Sequence, residues 1–295
     1  MSAIRRPLTV FDILNATFMV LMGIITIFPF YYVLIISLSD YASVHRQLIY
    51  VFPTNITFES YKVVFEDGTI TRAFFVSVFV TLVGTAYSMF ITALAAYTLS
   101  KKNIPFNKLI FAIIIIPMFF SGGLIPYYLT IKAVGLMNNI LVLIIPSAIT
   151  TFYLILMKNS FDDVPPSIEE SAKIDGANDF TVFFKIVLPT SGPVIATIAL
   201  FYAVDKWNSY YEAMLFLSRN RRLLPLQAVL RDIVQNFNMF IAGGIGAAIA
   251  QQNQIVYARS LQMAVIVVAT IPILCVYPFL QKHFTKGIML GAVKE

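Results

Sequence analysis

Several long stretches of the chain contain no Asp, Glu, Lys, Arg or His, and six of them are interpreted as spans. These six cover residues 13–39, 73–100, 109–131, 133–157, 186–204 and 260–281. Each is close to or above the ~20 residues that a helix needs to cross ~30 Å of hydrocarbon. Strands of a membrane barrel would instead show alternating segments of about ten residues. The pattern therefore predicts an all-α integral membrane protein with six transmembrane helices.

The spans are predicted to form one transmembrane domain over residues 1–295. Their expected bounds are about 11–39, 73–100, 107–131, 136–157, 190–217 and 260–281. The fifth span is extended to residue 217 although it contains Asp205, Lys206 and Glu212. The first span follows Arg5 and Arg6, as in a signal peptide, but its apolar run is too long and no small-residue cleavage site follows it. We expect it to be retained as a signal anchor.

Composition agrees with this class of protein. Hydrophobic residues make up 59% of the chain and charged residues 12%, and the mean hydropathy is +0.81. These values lie outside the range of soluble globular domains. The net charge is +6, but the basic residues cluster at span ends, where lipid head groups and the orientation rule account for them. We therefore expect membrane lipid, and no nucleic acid, as a partner. The single cysteine, Cys275, excludes an intrachain disulfide.

Basic residues in short loops predict the orientation, because such loops stay on the cytoplasmic side. The basic residues at the two termini and between spans two and three fall on one side: Arg5, Arg6, Lys101, Lys102, Lys108, Lys282, Lys286 and Lys294. The connection between spans three and four carries only Lys132. Arginines in the loop 218–259 oppose this assignment, but long loops translocate largely regardless of charge. Both termini and the loop 158–189 are thus predicted to be cytoplasmic, and the loop 218–259 to be external.

Prolines lie in or at the ends of several spans. They are Pro29, Pro117, Pro126, Pro146, Pro193, Pro272 and Pro278. Broken helices are tolerated in a membrane only where neighbouring protein or a water-lined cavity satisfies the freed carbonyls. The prolines predict either a pathway between helices or ordinary bending of a bundle.

The cytoplasmic loop carries signals for two short helices. Pro165 and Pro166 interrupt the preceding element, and Ser167 with Glu170 fits a capping box. A helix is predicted from Ile168 to about Asp175. Gly176 is placed to end it in the left-handed conformation. Asn178 can then cap a second helix that runs to Val187, before Pro189 opens the fifth span.

Such a loop has two interpretations. A compact helical hairpin with the small residues Ala172, Gly176 and Ala177 permits close approach of another protein. Alternatively, an amphipathic loop lies on the head groups, for which Phe180, Phe183 and Phe184 are suitable.

The stretch from Glu170 to Pro189 resembles the EAA motif of ABC transporter importers, the loop of the permease that seats in the ATPase. Ser171 departs from the motif, which usually has alanine there. The resemblance implies a type I importer permease fold with a cytoplasmic helical coupling loop. The coupling residues that it implies are Glu170, Ser171, Ala172, Asp175, Gly176, Ala177, Ile186, Leu188 and Pro189.

Three further segments are similar to the MalG-like permeases of carbohydrate uptake. Residues 207–213 look like that family's Trp-Asn-aromatic signature, and residues 224–231 resemble the external segment after it. Residues 277–294 resemble its C-terminal tail, which implies ATPase contacts for Lys286, Gly287 and Gly291. The resemblance covers nearly the whole chain and is nearest the oligosaccharide branch that includes YtcP-like and LplC-like subunits.

This resemblance implies a subunit of a sugar importer in a bacterial plasma (inner) membrane. The expected partners are a second homologous permease, an ATPase subunit dimer and an extracytoplasmic solute-binding protein. The chain is not expected to be an enzyme or to bind a cofactor, since ATP and Mg would be used by the ATPase subunits. An ion-coupled secondary carrier and a membrane-embedded enzyme are the alternatives. The first would more naturally have more spans, and the second needs clustered titratable groups.

The charges and aromatic residues of the fifth span predict a substrate pathway. Trp207 and Tyr211 would share one helical face, and Asn208 and Glu212 a neighbouring one. Aromatic faces that stack on sugar rings, next to amide and carboxylate groups, would form a saccharide wall. The alternative is an outer interfacial aromatic belt with charges reaching outward. In maltose-type systems the partner permease carries the sugar contacts, which favours the belt.

Metal and nucleotide sites are not expected in this chain. His45 and His283 each stand alone, with no Cys, His or carboxylate at ligand spacing. The glycine-rich residues 243–248 lack the Lys-Ser/Thr of a phosphate-binding loop.

Overall fold

The computed structural model describes residues 9–40, 52, 55–66, 68–101, 103–235, 259–272 and 274–275. These residues are mainly helical. The helices are α1 Val10–Ser37, α2 Glu59–Glu66, α3 Thr69–Ser100, α4 Asn107–Phe119, α5 Leu124–Ala133, α6 Thr151–Asp162, α7 Pro166–Ile174, α8 Asp179–Thr190, α9 Gly192–Asn208, α10 Tyr211–Phe216, α11 Leu226–Gln235 and α12 Arg259–Pro272. Short 3-10 turns cover Ile140–Leu143 and Arg221–Leu223.

Two helices of the described part, α1 and α3, are each long and apolar enough to cross a membrane. The number rises to four if two bent pairs count as single spans. These pairs are α4 with α5, bent by 118°, and α8 with α9, bent by 85°. The described residues thus contain two to four candidate spans, whereas the hydropathy pattern predicts six.

The third predicted span, residues 107–131, is two helices. Pro117 lacks a backbone N–H donor, and its ring crowds the carbonyl four residues earlier. The helix α4 ends at Phe119, two residues after this proline. Phe120 has an extended backbone, and Gly123 has a φ of +87°. The single helix expected here is wrong because the chain folds back at this proline and glycine.

The fourth predicted span, residues 136–157, is also interrupted. Residues 144–150, around Pro146, are not helical. Protein groups bind the backbone of this stretch: Lys206 Nζ donates to the Leu143 carbonyl at 2.9 Å, and the Thr150 N–H donates to the Tyr202 hydroxyl at 3.0 Å. The interruption therefore meets the requirement that broken backbone in a membrane be satisfied by its surroundings.

The fifth predicted span, residues 190–217, divides into α9 and α10. Ser209 is extended and separates Asn208, the last residue of α9, from Tyr211, the first of α10. Asn and Ser favour helix ends because their side chains compete for backbone hydrogen bonds. For the sixth span, predicted over residues 260–281, the structure describes α12 and the helical residues 274 and 275.

The chain forms two compact units. The unit of residues 1–68 and 232–271 has a small core in which Ile35 and Ile36 pack against Tyr32 and Met263. The unit of residues 69–231 and 272–295 is built on α3, which packs against α6 and α9.

Small side chains follow the buried face of α3. They are Ala73, Ser77, Gly84, Ser88, Thr92, Ala93 and Ala96. Small residues let neighbouring helices approach closely in a membrane. The helix α3 is thus the central helix of its unit.

Candidate functional site

The loop between α6 and α9 folds into a helical hairpin formed by α7 and α8. The first helix starts at Pro166, and Pro165 is its N-cap residue without a side-chain cap. The capping box predicted for Ser167 and Glu170 is therefore wrong. Proline at the first helical position has the required φ and lacks the N–H that would need a cap, so the helix starts before Ser167. Glu170 is instead exposed.

The turn of the hairpin has the conformation that the sequence predicts. Gly176 has φ +86°, its N–H donates to the Lys173 carbonyl at 3.0 Å, and the Ala177 N–H donates to the Ala172 carbonyl at 2.9 Å. These two bonds are those of a Schellman motif. A β-carbon at Gly176 would meet no atom within 4 Å. The glycine is thus required by its backbone angle and not by lack of space.

The second helix begins as predicted. The Asn178 side chain accepts a hydrogen bond from the Thr181 N–H at 2.8 Å and caps α8. Across the turn, Lys173 Nζ lies 2.8 Å from Asp179 Oδ1. This hydrogen bond lowers the pKa of the Asp179 carboxyl and raises the pKa of the Lys173 ammonium. An exposed ion pair therefore joins the end of α7 to the start of α8.

One side of the hairpin is buried in the core of its unit. Val182, Phe183 and Val187 are buried, and Ala172 and Ala177 pack against the same cluster. Of the three phenylalanines that suited a head-group loop, Phe183 is only 1% exposed. The hairpin is therefore anchored to the helix bundle.

The other side of the hairpin faces outward. Ile174 is 86% exposed and Phe180 69% exposed. The predicted coupling residues Glu170, Ser171 and Asp175 are also exposed. Solvent-facing apolar side chains beside carboxylates are typical of a surface that binds another protein.

The remaining predicted coupling residues lie at the base of the hairpin. Ile186 and Leu188 are half-buried, and Pro189 is exposed in the last turn of α8, before the bend to α9. The predicted tail residues Lys286, Gly287 and Gly291 lie outside the described residues, as do His45, His283 and residues 243–248.

The predicted substrate residues lie where α9 ends and α10 begins. The Trp207 ring meets the Phe74 ring edge-on at 6.1 Å between centroids. Asn208 is exposed, and Tyr211 is 55% exposed. Because Ser209 interrupts the helix, the shared helical face expected for Trp207 and Tyr211 is wrong.

The charges of this region have specific partners. The Tyr127 hydroxyl donates to Glu212 Oε1 at 3.0 Å, and the Tyr153 hydroxyl donates to Asp205 Oδ2 at 2.7 Å. Lys206 is only 5% exposed, and its chain crosses α3 at Gly84. A sequence pattern does not indicate these partners, because they come from helices far away along the chain.

Sequence reasoning also missed a contact of the hairpin. Lys101, interpreted only as an orientation charge, binds Glu169, a residue to which the motif assigns no role. Opposite charges at the end of a span and in the next cytoplasmic loop were the available signal.

Comparison with known proteins agrees with these features. No protein-family model matches the chain. It is 44% identical to Protein LplC of Bacillus subtilis (strain 168), over 97% of this chain and 95% of that protein. It is 43% identical to the polygalacturonan/rhamnogalacturonan transport system permease protein YtcP of the same organism, over 96% of this chain and 98% of that protein.

A solved structure shows the same fold. A chain of a bacterial ABC transporter involved in the import of the acidic polysaccharide alginate superposes with a TM-score of 0.88 at 31% identity. The match covers 95% of this chain and 100% of that chain. The chain therefore belongs to the sugar ABC transporter permeases, and the predicted resemblance is confirmed.

Proposed function

We propose that this chain is the membrane-spanning subunit of an ATP-driven importer that translocates a carbohydrate, specifically an oligosaccharide, delivered by a solute-binding protein. The observation that carries the proposal is the α7–α8 hairpin, anchored in the bundle by Phe183 and turned at Gly176, with Glu170 and Ile174 on its outer surface. In a member of the permease family, this surface is the part that docks an ATPase subunit.

The assembly follows from the family. A second homologous permease completes the pathway, an ATPase dimer binds ATP and Mg²⁺, and the solute-binding protein supplies the sugar. One alginate transporter structure, 16% identical and similar in fold at a TM-score of 0.55, is a complex with an alginate pentasaccharide-bound periplasmic protein. In our proposal this chain supplies no catalytic group. It changes shape when the ATPases bind and hydrolyse ATP.

Two contacts support the six-span topology with the hairpin inside and the loop 218–259 outside. Lys101, at the end of the second span, binds Glu169 of the hairpin, so both lie on one side. At the other end, the Asn138 side chain accepts a hydrogen bond from the Arg219 N–H at 2.9 Å. The predicted external connection between spans three and four thus meets the start of the predicted external loop. A bacterial plasma membrane with both termini in the cytoplasm completes this arrangement.

The substrate pathway is proposed to pass the junction of α9 and α10. Tyr211 offers an exposed ring, Glu212 and Asn208 offer polar groups, and Trp207 supports the wall through its contact with Phe74. One relative is named for polygalacturonan and rhamnogalacturonan, and another, MelC of Bacillus subtilis (strain 168), for melibiose, raffinose and stachyose. Long and short sugars are thus both within the family.

The proposed docking of the ATPase on the hairpin can be tested by changing the charge at Glu170. Glu170→Lys reverses the charge presented to the ATPase, whereas Glu170→Gln removes it with little change in shape. We expect the lysine variant to lose capture of the ATPase and sugar uptake, and the glutamine variant to lose less of both. The measurement is co-purification of the ATPase with the tagged permease, with uptake in whole cells. Normal capture and normal uptake in both variants would show that the hairpin surface does not dock the ATPase.

A further inference from the structure

An ion pair joins the hairpin to the end of α3. Lys101 directly follows α3, and its Nζ lies 2.6 Å from Glu169 Oε1 and 2.5 Å from Glu169 Oε2. Both side chains are shielded, with 27% of Lys101 and 15% of Glu169 exposed. One ammonium thus contacts both carboxylate oxygens, and a partly shielded pair of charges is weakened less by solvent than an exposed surface pair.

An aromatic ring of α3 contacts the same lysine. Lys101 Nζ lies 4.1 Å from the centroid of the Tyr97 ring, within the range of a cation–π contact. The Tyr97 ring in turn packs against Phe183 of α8 at 4.9 Å. The last turn of α3 therefore contacts both helices of the hairpin, α7 through Glu169 and α8 through Phe183.

The neighbouring glutamates have different surroundings. Glu170 is exposed, as a residue that contacts another protein must be. Glu169, one position earlier, faces α3. The hairpin thus exposes the carboxylate of Glu170 on its outer surface, whereas the carboxylate of Glu169 binds Lys101 at the end of α3.

We propose that the Lys101–Glu169 pair is the link through which movement of the hairpin is passed to α3. The proposal rests on the proposed function, since it assumes that an ATPase moves the hairpin. Without the pair, α7 would lose its ion pair with the end of α3, while the packing of Ala172 in the core and of Phe183 on Tyr97 would keep the hairpin docked. Lys101 and Glu169 are then positioning residues that act on transport through α3.

Another ion pair provides a matched control. Lys158 and Asp162 form a pair of the same length, 2.5 Å, within α6. It joins no part of the hairpin to α3. Its loss should therefore leave transmission unchanged, although a similar electrostatic contact is removed.

The experiment uses the complete importer in nanodiscs, with Cys275→Ala and one cysteine at Thr71, an exposed position of α3 outside the uncharged stretch 73–100. The readout is the change in labelling rate at position 71 when MgATP and vanadate are added. The variants are Lys101→Glu, Glu169→Lys, the exchange of both, and Lys158→Gln as control. Co-purified ATPase and basal ATP hydrolysis are measured in every sample.

Each single charge reversal should abolish the response to nucleotide while the ATPase is retained. The exchange should restore part of it, because opposite charges again face each other although a carboxylate then lies beside the Tyr97 ring. Lys158→Gln should respond as the parent does. The proposed role of the pair would be overturned if both single variants showed the full change in labelling rate, or if the double variant with exchanged charges recovered none of it. Absence of the ATPase from the parent complex would instead refute the proposed function.

Discussion

Gly176 shows how much one residue determines in the hairpin. Its φ of +86° closes α7 and directs the chain into α8. Residues with a β-carbon adopt this conformation at a cost of roughly 1–2 kcal/mol. Since a β-carbon would meet no atom within 4 Å, the backbone angle can be tested separately from packing.

Gly176→Leu should abolish coupling to the ATPase while the protein still inserts, because leucine strains the turn and adds bulk to the docking surface. Gly176→Asn is the matched control, since asparagine tolerates the left-handed region better than other residues. ATP-dependent uptake should be lost with leucine and largely kept with asparagine at equal expression. Normal uptake by Gly176→Leu would remove the requirement for this turn.

The residues of the proposed pathway make a separate prediction. Trp207→Ala should lower uptake, because it removes an aromatic contact contributing roughly 1 kcal/mol beyond area burial. Glu212→Gln should change the preference between neutral and acidic sugars by removing a carboxylate that repels acidic ones.

Tyr127→Phe is the control for Glu212, since it removes the hydrogen bond and keeps the carboxylate. Uptake is measured with labelled oligosaccharides, together with ATPase stimulation by the loaded binding protein, which should persist. Unchanged uptake and preference in both pathway variants would favour the aromatic belt.

At the scale of elements, the fourth span depends on its neighbours. Lys206 of α9 reaches past Gly84 of α3 to the Leu143 carbonyl. Ser88 and Thr92 of α3 approach the carbonyls of Ser147 and Ala148, each at 3.5 Å. The interrupted stretch is therefore stabilised by two helices that are themselves continuous.

Gly84→Leu should destabilise this element. A β-carbon at Gly84 would lie 3.2 Å from Lys206 Cδ and 3.3 Å from Cε, so the larger side chain displaces the lysine and leaves a buried carbonyl without its donor. The expected loss is about 1–3 kcal/mol.

Gly23→Leu is the control, since a β-carbon at Gly23, within α1, would meet no atom within 4 Å. Thermal unfolding in detergent should show a lower midpoint for the Gly84 variant alone. Equal midpoints would mean that the lysine can move aside without loss of the hydrogen bond.

At the scale of the whole molecule, α1 and α3 leave much apolar surface uncovered by the described residues. In the most apolar stretch of α1 only 11% of residues are buried, and in that of α3 only 22%. Such surface needs lipid or a partner subunit to cover it. A membrane complex provides both.

The orientation of the chain in the membrane can be tested by cysteine labelling. In a Cys275→Ala background, single cysteines are placed at the exposed positions Ser167 and Ser218. A membrane-impermeant maleimide applied outside intact cells should label position 218 and spare position 167, whereas permeabilised cells should be labelled at both. The reverse pattern would place the hairpin on the side without ATP.

Local sequence signals were sufficient to predict the membrane environment, the family and the hairpin. The long uncharged stretches predict a membrane protein because their lengths match the thickness of the bilayer. Gly176 and Asn178 predict the turn and the helix cap of the hairpin because a turn and a cap depend on neighbouring residues only. The prediction of the start of α7 was wrong because two local signals were present together. The helix starts at Pro166, so the capping box predicted for Ser167 does not form.

The way in which the broken spans are accommodated, and the choice of charges that form pairs, follow from the packing of helices that are distant along the chain. Hydropathy averages over a window, so it does not register an interruption at Ser209 or around Pro146. Neither does it indicate that Lys206 binds a carbonyl 63 residues earlier, or that Lys101 binds Glu169 across 68 residues. These contacts depend on which helices pack together, and that is fixed by the small-residue face of α3 and the side chains that fill it.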